Sequence, residues 1–478
     1  MSFPARSASA IALTLALACG WAPTASQATV SEPRIATASA LDVEGFAIAM
    51  NPSGDRSAVV AEGVVRGTRG RRTQLVARFG RVRSLARGRT LENLRPGSGA
   101  GASVGISAPQ VAVAPDGGAV AGWIVTTVTR RDGQPSYRLR VATAPDGRSF
   151  GRPRTLLTSA RSQLELTAIV AGRGGLAVLG WRRGNRVEVA VRRNGRFARP
   201  QRLSASSAYG VPPSLAPAPG GAVVAAWSPA EGSAARAAVL PARARRFNRA
   251  LSLSAPGEPA NHARAAGGPG GAGVAWTVAS PIGSPARGTL RFARLRTAAG
   301  TFAAPVTLAD ADASGGPHVA IPRVGIATAW RHLTIVSEAG DNDYIRTSRL
   351  AAAASWLNRA APRRLSEPPA LAARPALAAL GDRALIAWEQ TPAYNLGTPI
   401  RVAVAGPDGW LPTETIAPQG PAQGPASRVT GIDDDERPSA IDLRVAAGRR
   451  SALLAWITYA PALDGDPLGR VHVASYAP

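Results

Sequence analysis

Lysine is absent from this chain, so all 56 of its basic residues are arginine. Set against 30 acidic residues, they leave a formal charge of +26. The arginines are spread along the whole length instead of gathering in one stripe, so a nucleic-acid footprint is not expected. With alanine, glycine and proline also heavily used, the excess reads as compositional bias. The partner it would serve is an anionic cell-envelope polymer. Cysteine occurs once, at Cys19. Long apolar runs are missing too. The longest, from Ile11 to Gly20, is shorter than the ~18 residues a membrane span requires, so no transmembrane segment is expected. The four histidines (His262, His318, His332 and His472) fall into no ligand spacing. There is no Gly-x-Ser-x-Gly, no His-Glu-x-x-His and no phosphate-binding glycine loop.

That apolar run has a different meaning. Arg6 supplies a positive n-region before it, and Ser26-Gln27-Ala28 supplies small residues where a signal peptidase reads. Residues 1–28 are expected to be a signal peptide and 29–478 a secreted mature chain. Cleavage after Ala28 leaves no thiol, which excludes disulfides and cysteine chemistry. The alternative is a lipoprotein anchored through Cys19, although Ala16-Leu17-Ala18 puts leucine one place off the usual lipobox.

What the chain does have is a phrase. Seven of its ten tryptophans follow one or two small or aliphatic residues: Trp123, Trp181, Trp227, Trp276, Trp330, Trp388 and Trp456. The intervals are 58, 46, 49, 54, 58 and 68 residues. A period of this size marks an array of supersecondary units. Residues 109–157 give the clearest copy. Val111 and Val113 share one face of an alternating strand. Pro115-Asp116-Gly117-Gly118 forms a tight turn. A strand carrying Trp123 follows, then a looser loop, then an alternating strand from Tyr137 to Ala142. The turn at Pro145-Asp146-Gly147 and a fourth strand from Phe150 to Leu156 complete the copy. Four short antiparallel strands per period make one blade of a β-propeller.

Further copies fall at 164–203, from about Pro213, around Trp276, around Trp330, at 375–416 and from about Leu443. An earlier one spans 46–91, with Glu62 in the tryptophan's place. This all-β chain is therefore expected to form a single propeller of eight four-stranded blades, with seven as the alternative. The last copy lacks a fourth strand, and Pro33-Arg34-Ile35-Ala36 can supply it. The ring would then close by pairing its N- and C-terminal strands, leaving no free edge. Tryptophans at a structural period carry burial energy, so they are expected to pack between blades.

The first-to-second and third-to-fourth turns read as short. The second-to-third and blade-to-blade connections read as long and variable, and both emerge on one face of the disc, where binding is expected. On that face His332, which follows Trp330 and Arg331, is expected to start a loop. Asp341, Asp343 and Tyr344 lie in the blade-6 loop, Glu389 follows Trp388, and Tyr394 and Tyr459 stand in or near loops. These are the candidate ligand-binding residues. An irregular insertion at 418–442 carries Asp433, Asp434, Asp435 and Glu436. No cofactor is expected, but clustered oxygen ligands of this kind are what a calcium ion would take.

Several turns carry a resemblance. Thr143-Ala144-Pro145-Asp146-Gly147-Arg148-Ser149-Phe150 is similar to the Asp box of the sialidase-like (BNR) superfamily, with its aspartate displaced by one. Asn194-Gly195-Arg196-Phe197, Ala299-Gly300-Thr301-Phe302 and Asp408-Gly409-Trp410 are weaker echoes. The Pro-Asp-Gly turns also resemble those of TolB-type and WD40-like propellers. A sialidase resemblance implies an arginine triad, a Tyr-Glu nucleophile pair, for which Tyr344, Tyr394, Tyr459 and Glu389 are available, and an aspartate acid. The Phe-Arg-Ile-Pro signature is missing, and such enzymes usually have six blades. The expected function is therefore non-catalytic: a monomer that binds a glycan or protein on its loop face. A glycoside hydrolase and a charge-held envelope scaffold are the alternatives.

Overall fold

The computed structural model describes residues 29–31, 34–37, 41–67, 70–82, 84–85, 88–95, 103–128, 133–145, 147–160, 162–204, 211–229, 234–278, 288–311, 318–323, 326–337, 344–355, 363–366, 371–391, 400–406, 409–416, 443–460 and 468–477. The chain is an all-β propeller. Its described strands form eight hydrogen-bonded antiparallel sheets. Seven are blades of consecutive strands: blade 1 at 41–94, blade 2 at 103–159, blade 3 at 164–202, blade 4 at 211–252, blade 5 at 260–311, blade 6 at 318–364 and blade 7 at 371–415. The remaining sheet is composite. Arg444–Ala447, Ala452–Ala460 and Leu468–Ala477 are joined there by Thr29–Val30 and Arg34–Ile35, both antiparallel to the last strand. The N- and C-terminal strands thus close the ring, and pairing them covers the edges each would leave open. The first strand of each sheet touches the first strand of the next around a complete cycle, which defines a central channel.

Every tryptophan of the phrase whose side chain is described (Trp123, Trp181, Trp227, Trp276, Trp388 and Trp456) is buried. Each of the first four packs into the cluster shared with the preceding blade. An indole at the seam removes some 150–250 Å² from water, which is why one residue type recurs there. The third strand answers it. Arg140, Arg236, Arg291 and Arg401 stand directly opposite Trp123, Trp227, Trp276 and Trp388. Glu188 accepts the Trp181 Nε1 hydrogen at 3.0 Å. Trp456 stacks on His472 at 5.8 Å.

The first strand bulges where the tryptophan faces it. Two residues oppose one at Ala108-Pro109, Pro212-Pro213, His262-Ala263 and Arg374-Pro375. Proline has no N–H to give to a ladder, so a bulge is where a sheet tolerates it. Ala108 and His262 enter their bulges at φ 52°, a left-handed conformation uncommon for residues with a Cβ. The bulged strands are stitched to one another. Thr167 donates to the Pro213 carbonyl at 2.5 Å, and Ser214 accepts from the Ala265 N–H at 2.7 Å.

Three expectations change. The second-to-third connection is not uniformly long: strands Arg56–Gly67 and Gly70–Arg81 are separated by two residues, as are Ala177–Arg183 and Arg186–Arg193. His332 does not start a loop. It and Arg331 lie within the strand Ile326–Ser337, because the β-branched run Thr334-Ile335-Val336 carries the ladder past Trp330. Tyr344 likewise opens the strand Tyr344–Ser355, and Tyr459 lies within Ala452–Ala460. Finally, Glu62 does not stand on the tryptophan face. It pairs with Gly45 just past the blade-1 bulge and with Leu75 across the sheet. Leu75 packs toward blade 2, whereas a seam tryptophan faces the preceding sheet.

Candidate functional site

Strand register sets one level of the channel. In each sheet that carries a phrase tryptophan, the residue just before it pairs with a residue of the channel-lining first strand. Those partners are Gln110, Ala168, Ser214, Arg264, His318, Ala376 and Arg444. Three of the seven are arginine or histidine, and they come from blade 5, blade 6 and the composite sheet.

Their environment is that of a lumen. Arg264 and Arg444 are solvent-exposed and His318 is intermediate. Even so, burial is the main cause pulling the His318 imidazole down to about 4, with the charges of Arg264 and Arg444 adding to it. Burial also lowers Arg264, followed by the charge of Arg444. Blade 5 and the composite sheet are not neighbours in the ring, so Arg264 and Arg444 belong to separate sectors of the channel wall. Among the described residues no carboxylate forms an ion pair with Arg264.

The end of the channel beneath this level is narrow. A Cβ on Gly267 would stand 2.2 Å from the Pro217 carbonyl oxygen, and one on Gly270 would stand 1.8 Å from that of Pro322. A Cβ on Gly268 would lie 2.1 Å from the Ile321 carbonyl oxygen and 3.1 Å from the Ala379 Cβ. These contacts bring blades 4, 5, 6 and 7 together at the first-to-second turns. Glycine is needed there because backbone meets backbone. The cationic level therefore sits above a floor and faces the opposite mouth.

Two buried carboxylates lie on second strands, Glu62 paired there with Gly45 of the first strand of blade 1. Glu62 is 7% exposed, its Oε2 makes no hydrogen bond, and burial pushes its carboxyl up to about 8, with Glu44 adding to the shift. Glu389 is 3% exposed, in the second strand of blade 7 beside Trp388. Of the candidate ligand-binding residues, only Glu389 has a described side chain. Arg331, His332, Tyr344 and Tyr459 are placed by backbone alone. Asp341, Asp343, Tyr394 and the acidic run Asp433, Asp434, Asp435 and Glu436 lie outside the described residues. Among the described residues no three His, Cys, Asp or Glu side chains gather as a metal site. No described helix is long and apolar enough to cross a membrane.

The sequence reading missed Arg264, His318 and Arg444 as a group. Each lies far from the others in the chain, and only the shared distance from a tryptophan phrase could have aligned them.

No known protein family matches the chain, and no curated protein matches its sequence. Similar solved structures are propeller-containing proteins of low identity. A prolyl endopeptidase structure is 15% identical with a TM-score of 0.42; the match covers 91% of this chain and 54% of that one, so the chain spans about half its length. The sialidase of Trypanosoma rangeli, solved with the inhibitor DANA, is 11% identical with a TM-score of 0.34, covering 91% of this chain and 92% of that one. The WD40 domain of SCAP from fission yeast is 9% identical with a TM-score of 0.34, covering 94% and 98%.

Proposed function

We propose that this chain is an exported, non-catalytic β-propeller that binds a glycan or protein ligand at the mouth formed by its second-to-third and blade-to-blade connections. The observation that carries the reading is the make-up of the channel level. Gln110, Ala168, Ser214, Arg264, His318, Ala376 and Arg444 offer hydrogen-bond donors and small surfaces, with no aspartate or glutamate among them. A glycoside hydrolase needs two carboxylates facing each other at ~5–9 Å. Glu389 does not supply one here, since it is packed into the wall of blade 7. The Asp-box-like turn at 143–150 fits the reading as a structural device: the Gly147 N–H bonds the Ala144 carbonyl, and Phe150 is buried.

The test is a glycan array on the purified chain, run with fluorogenic glycoside assays. Saturable binding to a defined sugar that resists salt, without turnover, is the expected result. Turnover would replace the reading with the hydrolase. Binding only to whole envelopes, released at ~0.5 M salt, would replace it with the charge-held scaffold.

A further inference from the structure

The rim of the turn face concentrates positive charge on three consecutive blades. The third-to-fourth connections of blades 3, 4 and 5 run over 194–200, 241–250 and 295–305. They carry Arg196 and Arg199, then Arg243, Arg245, Arg246 and Arg249, then Arg296, all exposed, with no Asp or Glu among them. The imbalance extends along the chain: from Val189 to Ala309 there are fifteen arginines and two acidic residues, Glu231 and Glu258. Glu258 lies in the blade-4-to-5 connection on the opposite face, where it pairs with Arg291 at 3.6 Å, and Glu231 is outside the described residues. Hydrogen bonds tie the neighbouring connections together. Arg193 donates to the Ala244 carbonyl at 2.8 Å and also to that of Ala242, Gln201 exchanges two hydrogen bonds with the Phe247 backbone, and Asn248 donates to the Ala299 carbonyl at 2.7 Å. The arginines thus form one arc across three blades. Among the described residues none of the seven is in an ion pair. Beyond it the sequence changes: the matching connection of blade 2 mixes Asp146 with arginine, and that of blade 7 has Asp408 and no arginine.

Shape and composition narrow the partner. The first-to-second turns of blades 4 and 5 sit nearer the channel, at Pro219-Gly220-Gly221 and Pro269-Gly270, and carry no charge. The charge is therefore a curved row along the rim, which matches a linear polyanion and not the plane of a bilayer. The aromatic side chains of the arc are turned inward: Phe247 is buried, and Phe197 and Phe302 are partly buried against blade seams. Single-stranded nucleic acid is held by stacking on exposed aromatics as well as by charge. The arc offers charge alone. Guanidinium forks match the oxygens of carboxylate and sulfate groups in bidentate geometry. We propose that this arc is a docking surface for a linear acidic polysaccharide, whose carboxylate or sulfate groups pair with the arginines at 194–200, 241–250 and 295–305. The surface lies on the face opposite the loop mouth and does not depend on the reading above.

The experiment titrates the full chain with heparin and with polygalacturonate, as sulfated and carboxylated probes, and with neutral dextran, from about 50 to about 500 mM salt. The expected result is saturable binding to at least one acidic polymer, none to dextran, and weakening as the salt rises. Combining Arg243→Gln, Arg245→Gln and Arg246→Gln should lower the affinity about tenfold or more. Combining Arg81→Gln, Arg89→Gln and Arg138→Gln removes as many exposed charges from blades 1 and 2, and should change it less than about threefold. Should the blade-4 variant fail to fold, Arg196→Gln with Arg199→Gln carries the same comparison. The proposal is overturned if neither acidic polymer binds. It is equally overturned if the two triple variants lose affinity alike, which would leave net charge alone at work. Tighter binding to oligothymidylate, or to phosphatidylglycerol vesicles, than to either polysaccharide would overturn the partner class. Heparin binding that survives loss of the arc arginines would overturn the surface while leaving the loop mouth untouched.

Discussion

The seams between consecutive blades and the seam that closes the ring solve the same packing problem differently. Between blades 1 and 2, 2 and 3, 3 and 4, and 4 and 5, an indole fills the gap. Between the composite sheet and blade 1, the two backbones come together with glycine where they meet. A Cβ on Gly469 would stand 2.4 Å from the Val43 carbonyl oxygen, and one on Gly448 2.4 Å from the Gly54 nitrogen. Aliphatic side chains and Phe46 fill the rest of this seam. Hydrogen bonds then lock it: Asp42 accepts from the Gly469 N–H at 2.9 Å, and Ser451 donates to the Gly54 carbonyl at 2.6 Å. A seam assembled from distant parts of the chain thus depends on close approach and polar stitching, where the others depend on apolar bulk.

This contrast can be broken from either side. The largest effect is expected from Trp227→Ala, which empties a fully packed seam and should cost about 4 kcal/mol in denaturant unfolding. Next is Gly469→Ala. Its added methyl meets backbone that cannot swing away, so a loss of about 3 kcal/mol is expected, with protease cleavage first appearing near the chain ends. A result as mild as that of Gly117→Ala, whose Cβ would point into open space, would mean that the closing seam is loosely packed.

Glu62 gives a prediction of opposite sign. Its folded value of about 8 lies above the ordinary 4.5. The stability tied to it is complete below pH 4.5 and is lost as the pH climbs through about 8. Glu62→Gln should therefore stabilise the protein by roughly 2–3 kcal/mol at pH 7 and by little at pH 4.5. His318 works the other way, since its lowered value makes stability fall as the pH drops from 6.5 to about 4. The informative measurement is accordingly the difference in melting temperature between parent and variant across pH 4–9. A flat difference would show that the Glu62 carboxyl is not held neutral. The smallest effect, about 1 kcal/mol, is expected from Gly117→Ala, where only the turn's φ of 88° is strained.

The seam tryptophans, the short turns and the joining of Arg34–Ile35 to the last strand were legible because each depends on neighbours in sequence or on a repeated phrase. The bulges were not read, although Pro109, Pro213 and Pro375 signalled them: a proline that opens an alternating run looks the same whether it begins a strand or bends one. The face of Glu62 was misread because a shift of one residue along a strand reverses its face: Val60 packs toward blade 2, whereas Ala61 packs toward the composite sheet. The channel level was out of reach in a different way. Arg264 and Arg444 belong to sheets that do not touch, and no local pattern brings them together.

The composite sheet also bears on how this ring comes apart. The Val471 N–H reaches Thr37 Oγ1 and the Ser475 N–H reaches Ser31 Oγ, across separations of 434 and 444 residues. Contacts this distant in sequence form late and set a slow step in folding. By the same logic they are the contacts whose loss would let the circle spring open as a strip. The latch then acts on the lifetime of the ring and hardly on its rate of folding, since interactions missing from the transition state chiefly slow unfolding. Weakening Thr37 or Ser31 should shorten that lifetime while every other blade stays as it is.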